Sequence, residues 1–145
     1  MSVSAGQAGE AVADRAARGR RTYAHNLGLD EPGVEAAMGE VVGSAFVREA
    51  YVAAGGPGWH SPDLTDRDRA LVIIAAMVGQ HVTDERLQPY LELARKEGVS
   101  EDGLDAVMIL MAAYVGQPAA SRGAAAVHRQ PSRTATSHIL EEAGS

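Results

Sequence analysis

The chain has 145 residues, a length that suits one domain rather than two. Its net charge of −6 argues against a nucleic-acid-binding protein, which normally presents a basic face. The sequence contains no cysteine, which excludes disulfides, thiol catalysis and cysteine-based zinc sites. Because 46% of the residues are hydrophobic but only 4% are aromatic, the composition favours closely packed helices over a β-sandwich.

The apolar segments are too short for a membrane protein. The longest near-continuous apolar stretch covers residues 106–115, whereas a membrane-spanning helix requires about 20 residues. Residues 1–21 contain acidic groups and lack the apolar core of a signal peptide. The sequence therefore predicts a cytoplasmic protein with no membrane partner and, given its charge, no nucleic-acid partner.

The first half of the chain shows helical patterns. Residues 11–23 combine strong helix formers with many charges, which predicts a surface helix at best. From Asp30, a good N-cap, to about Ala54 the apolar residues recur every three or four positions, which predicts a second helix. The segment GGPGWHSPD that follows contains two prolines and is predicted to be a loop.

The second half predicts four further helices. They begin after an N-cap at Thr65, after Thr83 or Gln88, at Ser100 and at Pro118. Pro89 fits the first turn of its helix if that helix begins near residue 88, and it kinks the helix if the start is Asp84. The sequence thus predicts an all-α protein of about six helices.

Two of these helices indicate an oligomer. The stretches 71–78 and 107–115 are apolar on every side, and a domain of this size has little interior in which to bury both. We therefore predict a homo-oligomer in which part of this surface is covered by another subunit. The polar termini are predicted to be a flexible segment over 1–17 and a tail over 131–145, which is mobile or packs on a partner subunit.

Several short motifs occur in a specific order along the chain. GWHSPDL at 58–64 precedes DRDRALV at 66–72, and GVS at 98–100 precedes AYVGQPAA at 113–120. In this order and spacing they resemble the carboxymuconolactone decarboxylase family, within the wider AhpD-like group. The resemblance covers about residues 18–129 and implies an all-α domain over 18–130 that assembles as a trimer or hexamer.

The resemblance also implies an activity. The group contains thiol-dependent reductases with a Cys-x-x-Cys pair and cofactor-free decarboxylases of carboxylated lactones, and a chain without cysteine cannot belong to the first kind. We therefore expect a lyase or isomerase without a cofactor. Its chemistry would be proton transfer linked to decarboxylation, isomerisation or cyclisation of a small carboxylate, lactone or polyketide-like biosynthetic intermediate. The alternatives are a non-catalytic small-molecule-binding or accessory protein and a stress-response relative that lost its thiols.

Four residues are candidates for proton transfer. By comparison with the family pattern Glu-Leu-x-x-His, Tyr90 stands at the histidine position, where a phenol can donate a proton but does not readily accept one. His81 and Glu85 lie nearby in sequence and could act as the base, and His60 lies in the glycine- and proline-rich loop. Each also has a structural explanation, such as a core tyrosine, a helix-end histidine or a first-turn acid.

Six further residues are candidates for substrate binding. Trp59, the only tryptophan, could form a lid, and Arg69 could hold a carboxylate or pair with Asp66 instead. The remaining four are Tyr114, Gln117, Tyr51 and Arg48. No metal site is predicted, because the histidines lack the spacing of metal-binding motifs.

Overall fold

A computed structural model describes residues 10–129, and within this range all regular structure is helical. The eight helices are α1 (Val12–Leu27), α2 (Glu31–Val42), α3 (Ser44–Ala54), α4 (Pro57–His60), α5 (Asp66–Gly79), α6 (Gln88–Lys96), α7 (Glu101–Val115) and α8 (Gln117–His128). The all-α prediction is therefore confirmed. The predicted C-terminal tail lies outside the described residues, and α1 begins inside the segment predicted to be flexible.

Two short-range features raise the number of helices above the expected six. Gly43 adopts a φ of 84° and divides the predicted helix from Asp30 to Ala54 into α2 and α3. This backbone conformation is one that glycine adopts without steric cost. The predicted loop also contains α4, a single turn that starts at Pro57, where the missing N–H of proline is harmless.

The predicted helix starts are confirmed where a polar side chain can cap the helix. The side chains of Asp30, Thr65 and Ser100 each accept a hydrogen bond from a backbone N–H in the first turn of their helix. Thr65 and Asp68 form a reciprocal capping box. Pro89 lies in the first turn of α6, so this helix is not kinked.

The helices pack around two apolar clusters. The larger one is formed by α5 to α8 and the segment before α6, with Ile74, Leu91 and Leu104 fully buried. The smaller one lies between α1, α2 and α3 and centres on Val34 and Val47. Because α1 packs along α3 and also contacts α6, it connects the two clusters.

The expectation that α1 is only a surface helix is wrong. Its residues Gly19 and Asn26 are buried, and Gly19 lies against the backbone of α3. The sequence pattern did not indicate this contact, because the many charged residues of α1 suggested a helix that faces solvent. Two of its arginines instead donate hydrogen bonds to backbone carbonyl groups at the end of α3. Arg15 Nε donates to the carbonyl of Val52 at 2.9 Å, and Arg18 donates to that of Gly55 at 2.7 and 3.0 Å.

Large apolar side chains are exposed on several of the described helices. On α5 and α7 one face packs into the core, while the other exposes Val72 (61%), Ile109 (74%) and Leu110 (64%). A second exposed group lies on α2 and α3 and includes Val41 and Phe46. We refer to the first group as the α5–α7 surface. Among the described helices, none is both long and apolar enough to cross a membrane.

Candidate functional site

The short helix α4 is held in place by Arg69 on α5. The guanidinium of Arg69 donates to the carbonyl of Gly58 at 3.1 Å and to that of Ser61 at 2.5 Å, and it pairs with Asp66 Oδ1 at 3.0 Å. Its side chain is only 10% exposed. Arg69 therefore fixes the position of Trp59 and His60, and its three bonding nitrogens are engaged within the chain.

A small cavity of about 310 Å³ lies between α4 and α1, and we call it the α1–α4 cavity. Its walls combine cationic, imidazole, aromatic and amide groups from the two helices with one carboxylate from the start of α5. The lining residues are Arg18, Arg21, Thr22, His25, Asn26, Trp59, His60 and Asp66. The cavity thus contains both a titratable imidazole and charges that can orient an ionic ligand.

His60 is the group in this cavity best suited to accept a proton. Desolvation lowers its pKa, and the positive charges of Arg18 and Arg69 lower it further. Because the ordinary pKa of histidine is about 6.5, this imidazole is neutral at pH 7. Its Nε2 lies 3.4 Å from the hydroxyl oxygen of Thr22. A contact with the backbone of Ala54 partly offsets the lowering of its pKa.

The two arginines of the cavity differ in their partners. Arg18 pairs with the carboxylate of Glu10, with a hydrogen bond of 2.7 Å from Nη2 to Oε2. Arg21 is exposed and makes no side-chain hydrogen bond or ion pair to another residue within 10–129. Glu10 shows that this surface accommodates a carboxylate, and the guanidinium of Arg21 is the one available for a second.

Tyr90 lies on α6 and does not line the α1–α4 cavity. It is half-buried and packs against the larger apolar cluster. Desolvation, together with the nearby Tyr23, raises its pKa to about 12. Tyr90 therefore keeps its proton at neutral pH, so it can donate a hydrogen bond but cannot serve as a base.

Tyr51 belongs to an aromatic pair with Tyr23. The ring centroids lie 6.1 Å apart and the ring planes are inclined by 55°. Tyr51 is buried in the smaller apolar cluster, which raises its pKa, and its hydroxyl has no partner among the described residues. The structure thus places this candidate in the core between α1 and α3.

The structure does not bring His81 and Glu85 together with Tyr90 in one cavity. His81 is exposed after the end of α5 and has a φ of 62°, a conformation uncommon for residues other than glycine. Glu85 lines a different cavity of about 510 Å³ between the end of α1 and α6, and neither His81 nor Tyr90 is part of its lining. The three groups would therefore need a rearrangement to act on one substrate.

The remaining substrate-binding candidates lie on other surfaces. Tyr114 is 83% exposed near the end of α7. Gln117 lines a cavity of about 410 Å³ between α7 and α8. Arg48 is exposed on α3. None of the three lines the α1–α4 cavity.

The cavity residues on α1 were not identified from the sequence. Arg18, Arg21, Thr22 and His25 are spaced by three, four and seven positions, which places them on one face of a helix. This spacing is a signal that could have found them. It was overlooked because the sequence predicted a surface helix at best.

Comparison with known proteins supports the resemblance found in the sequence. The family model described as "Carboxymuconolactone decarboxylase family" matches residues 47–129, which is more than half of the chain. The chain therefore belongs to the carboxymuconolactone decarboxylase family. No curated protein and no solved structure matches the chain. The match includes α4 to α8, whereas α1 and its cavity residues lie before it.

Proposed function

We propose that the protein is an enzyme that performs acid–base chemistry on a small carboxylated compound in the α1–α4 cavity. The observation that carries this proposal is the combination, on one cavity of about 310 Å³, of a neutral imidazole and a guanidinium that has no partner within residues 10–129. Family membership supports a relative of carboxymuconolactone decarboxylases or of AhpD-like proteins, and the absence of cysteine excludes a thiol mechanism.

Each residue has a defined role in this proposal. Arg21 binds the substrate carboxylate, Trp59 packs against the apolar part of the substrate, and His60 transfers the proton. In an isomerisation or cyclisation, neutral His60 removes a proton next to a carbonyl group. That proton is then returned to another carbon from the protonated His60. In a decarboxylation, the C–C bond to the carboxylate breaks, CO₂ leaves, and the electron pair left on carbon takes a proton from solvent. These steps balance without a cofactor.

Several predictions from the sequence stay open beside this proposal. Tyr90 as the proton donor with His81 or Glu85 as the base remains a second assignment for the same chemistry. The substrate class, a lactone or a polyketide-like intermediate, and the cytoplasmic location also stay predictions.

A non-catalytic binding protein is the second candidate function. It is favoured by the separation of Tyr90, His81 and Glu85, and by the engagement of Arg69 in holding α4. A binding protein requires the guanidinium of Arg21 and the indole of Trp59 but no proton transfer. The two functions are therefore distinguished by whether a bound compound is converted.

Ligand binding can be measured through Trp59, because it is the only tryptophan. We expect that carboxylated lactones and β-keto acids change its fluorescence on titration. The Arg21→Gln variant should bind about tenfold more weakly, which corresponds to about 1.4 kcal/mol, since it loses one charge-assisted hydrogen bond.

The matched control is Arg122→Gln on α8, which removes an exposed arginine away from the cavity. It should leave the affinity unchanged. An Arg21→Gln variant with the affinity of the wild type would contradict the assignment of this cavity. Separation of the reaction mixtures by chromatography then shows whether the bound compound is converted.

We further propose that the α5–α7 surface forms contacts between subunits of a homo-oligomer. Exposed apolar side chains on two neighbouring helices are typical of subunit interfaces, and a charge placed there would be buried without a partner. The double variant Ile109→Glu, Leu110→Glu is expected to be smaller than the wild type by light scattering coupled to size-exclusion chromatography.

Val12→Glu provides a control for this experiment, because Val12 is 69% exposed on α1, away from the α5–α7 surface. It should keep the wild-type mass. A wild-type protein that elutes as a monomer at all concentrations would overturn the proposed oligomer.

A further inference from the structure

Three ligand-type side chains from three helices meet beside the α1–α4 cavity. His25 belongs to the last turn of α1, Asp66 to the first turn of α5, and Glu97 is the C-cap of α6. One ligand atom of each lies within 4.8 Å of the others. Ligands of one metal ion lie roughly 3–4 Å apart, so small rotations of these side chains are sufficient to bring them onto one ion.

The carboxylate ligand atoms at this position carry negative charge, although Arg18 and Arg21 line the adjoining cavity. Two carboxylates lie close together, and Glu97 and His25 both stand at C-terminal helix ends, where the helix dipole is negative. Within 10–129, the side chains of His25 and Glu97 have no hydrogen-bond partner. Asp66 accepts a hydrogen bond from Arg69 on Oδ1, which neutralises part of its charge, and its Oδ2 has no partner among the described residues.

A second observation points to a ligand here. Asn26 is only 6% exposed, and its Nδ2 has no hydrogen-bond partner among the described residues. It lines the α1–α4 cavity together with His25 and Asp66. The Nδ2 atom itself is inaccessible to solvent, so a rotation of the side chain is needed to turn it toward a ligand in this cavity. An unpartnered polar group at this depth is costly unless a ligand or water satisfies it.

We propose that His25, Asp66 and Glu97 bind a divalent first-row transition metal ion such as Zn²⁺ or Mn²⁺. One imidazole and two carboxylates suit these ions, and water completes the coordination. Asn26 then hydrogen-bonds a metal-bound water or anion on the cavity side. This site does not rest on the proposed function, because metal binding is measured without any substrate.

The test uses the full chain after treatment with a chelator and dialysis. Isothermal titration with Zn²⁺ is expected to give one site per chain, and Mn²⁺ should show the same stoichiometry by electron paramagnetic resonance. In His25→Gln and Glu97→Gln the affinity should fall about 100-fold, since each loses a direct ligand. Both positions lack side-chain hydrogen bonds within 10–129, so circular dichroism without metal should match that of the wild type.

His128→Gln is the matched control, because His128, like His25, is an exposed histidine at the end of a helix with a carboxylate nearby, Asp105 at 2.8 Å. It should retain the wild-type affinity. The proposal is overturned if the wild type binds no Zn²⁺ at 100 µM, a concentration of about 10⁻⁴ M at which weak protein sites are already filled. It is also overturned if His25→Gln and Glu97→Gln bind as tightly as the control.

Discussion

Replacing Gly19 with alanine is expected to destabilise the fold by about 3 kcal/mol or more, because α1 and α3 touch at this residue. A Cβ atom at Gly19 would lie 1.7 Å from the carbonyl oxygen of Tyr51 and 2.8 Å from the backbone nitrogen of Gly55. Both neighbours are backbone atoms, so the clash cannot be relieved by rotating a side chain. The two helices must instead move apart, which also opens the smaller apolar cluster.

The measurement is thermal unfolding followed by circular dichroism, with an expected fall in Tm of about 10 °C or more. Gly39→Ala in the interior of α2 is the matched control, because a Cβ there meets no atom within 4 Å. Alanine at this position should stabilise the protein by up to about 1 kcal/mol through its helix propensity. A Gly19→Ala variant with the Tm of the wild type would contradict the close packing of α1 on α3.

The parts of the fold that the sequence predicted are those controlled by local interactions. The caps at Asp30, Thr65 and Ser100 act within one turn, so their patterns are visible in the sequence. The break at Gly43 was missed because apolar residues continue with helical spacing on both sides of it. A glycine inside such a run is compatible with a helix or with a break, and only tertiary packing decides between them.

The candidate site was less predictable, because it depends on contacts between distant segments. His60 and Trp59 were identified from their loop, yet their partners Arg21 and His25 come from a helix more than 30 residues earlier. Tyr90 was identified from its position in the family pattern. A sequence position says nothing about whether a side chain faces a cavity, and Tyr90 faces the apolar cluster and Tyr23 instead.

The position of α1 connects the stability of the fold with its proposed chemistry. Gly19 sets the distance between α1 and α3, and Arg15 and Arg18 bind carbonyl groups at the end of α3, immediately before α4. These contacts fix the α1 side of the cavity relative to His60. Because α1 precedes the segment matched by the family model, the residues that we propose to bind the ligand lie partly outside the matched segment.

Replacing His60 with glutamine is expected to lower kcat/KM by about 100-fold or more, because the variant lacks the group that transfers the proton. Glutamine keeps a hydrogen-bonding side chain of similar size, so binding measured by Trp59 fluorescence should change little. His128→Gln, a histidine outside the cavity, should retain full activity. His81→Asn tests the competing base, and asparagine can adopt the positive φ of position 81.

The pH profile separates catalysis by His60 from a merely structural role. As a base His60 acts when neutral, so kcat/KM should be constant at neutral pH and fall as the pH drops through its pKa. Since desolvation and the charges of Arg18 and Arg69 lower that pKa, the fall should occur below the usual histidine range near pH 6.5. The residual activity of His60→Gln should lose this acidic limb. If the limb persists in His60→Gln but disappears in His81→Asn, the base is His81, and the α1–α4 cavity binds the substrate without transferring its proton.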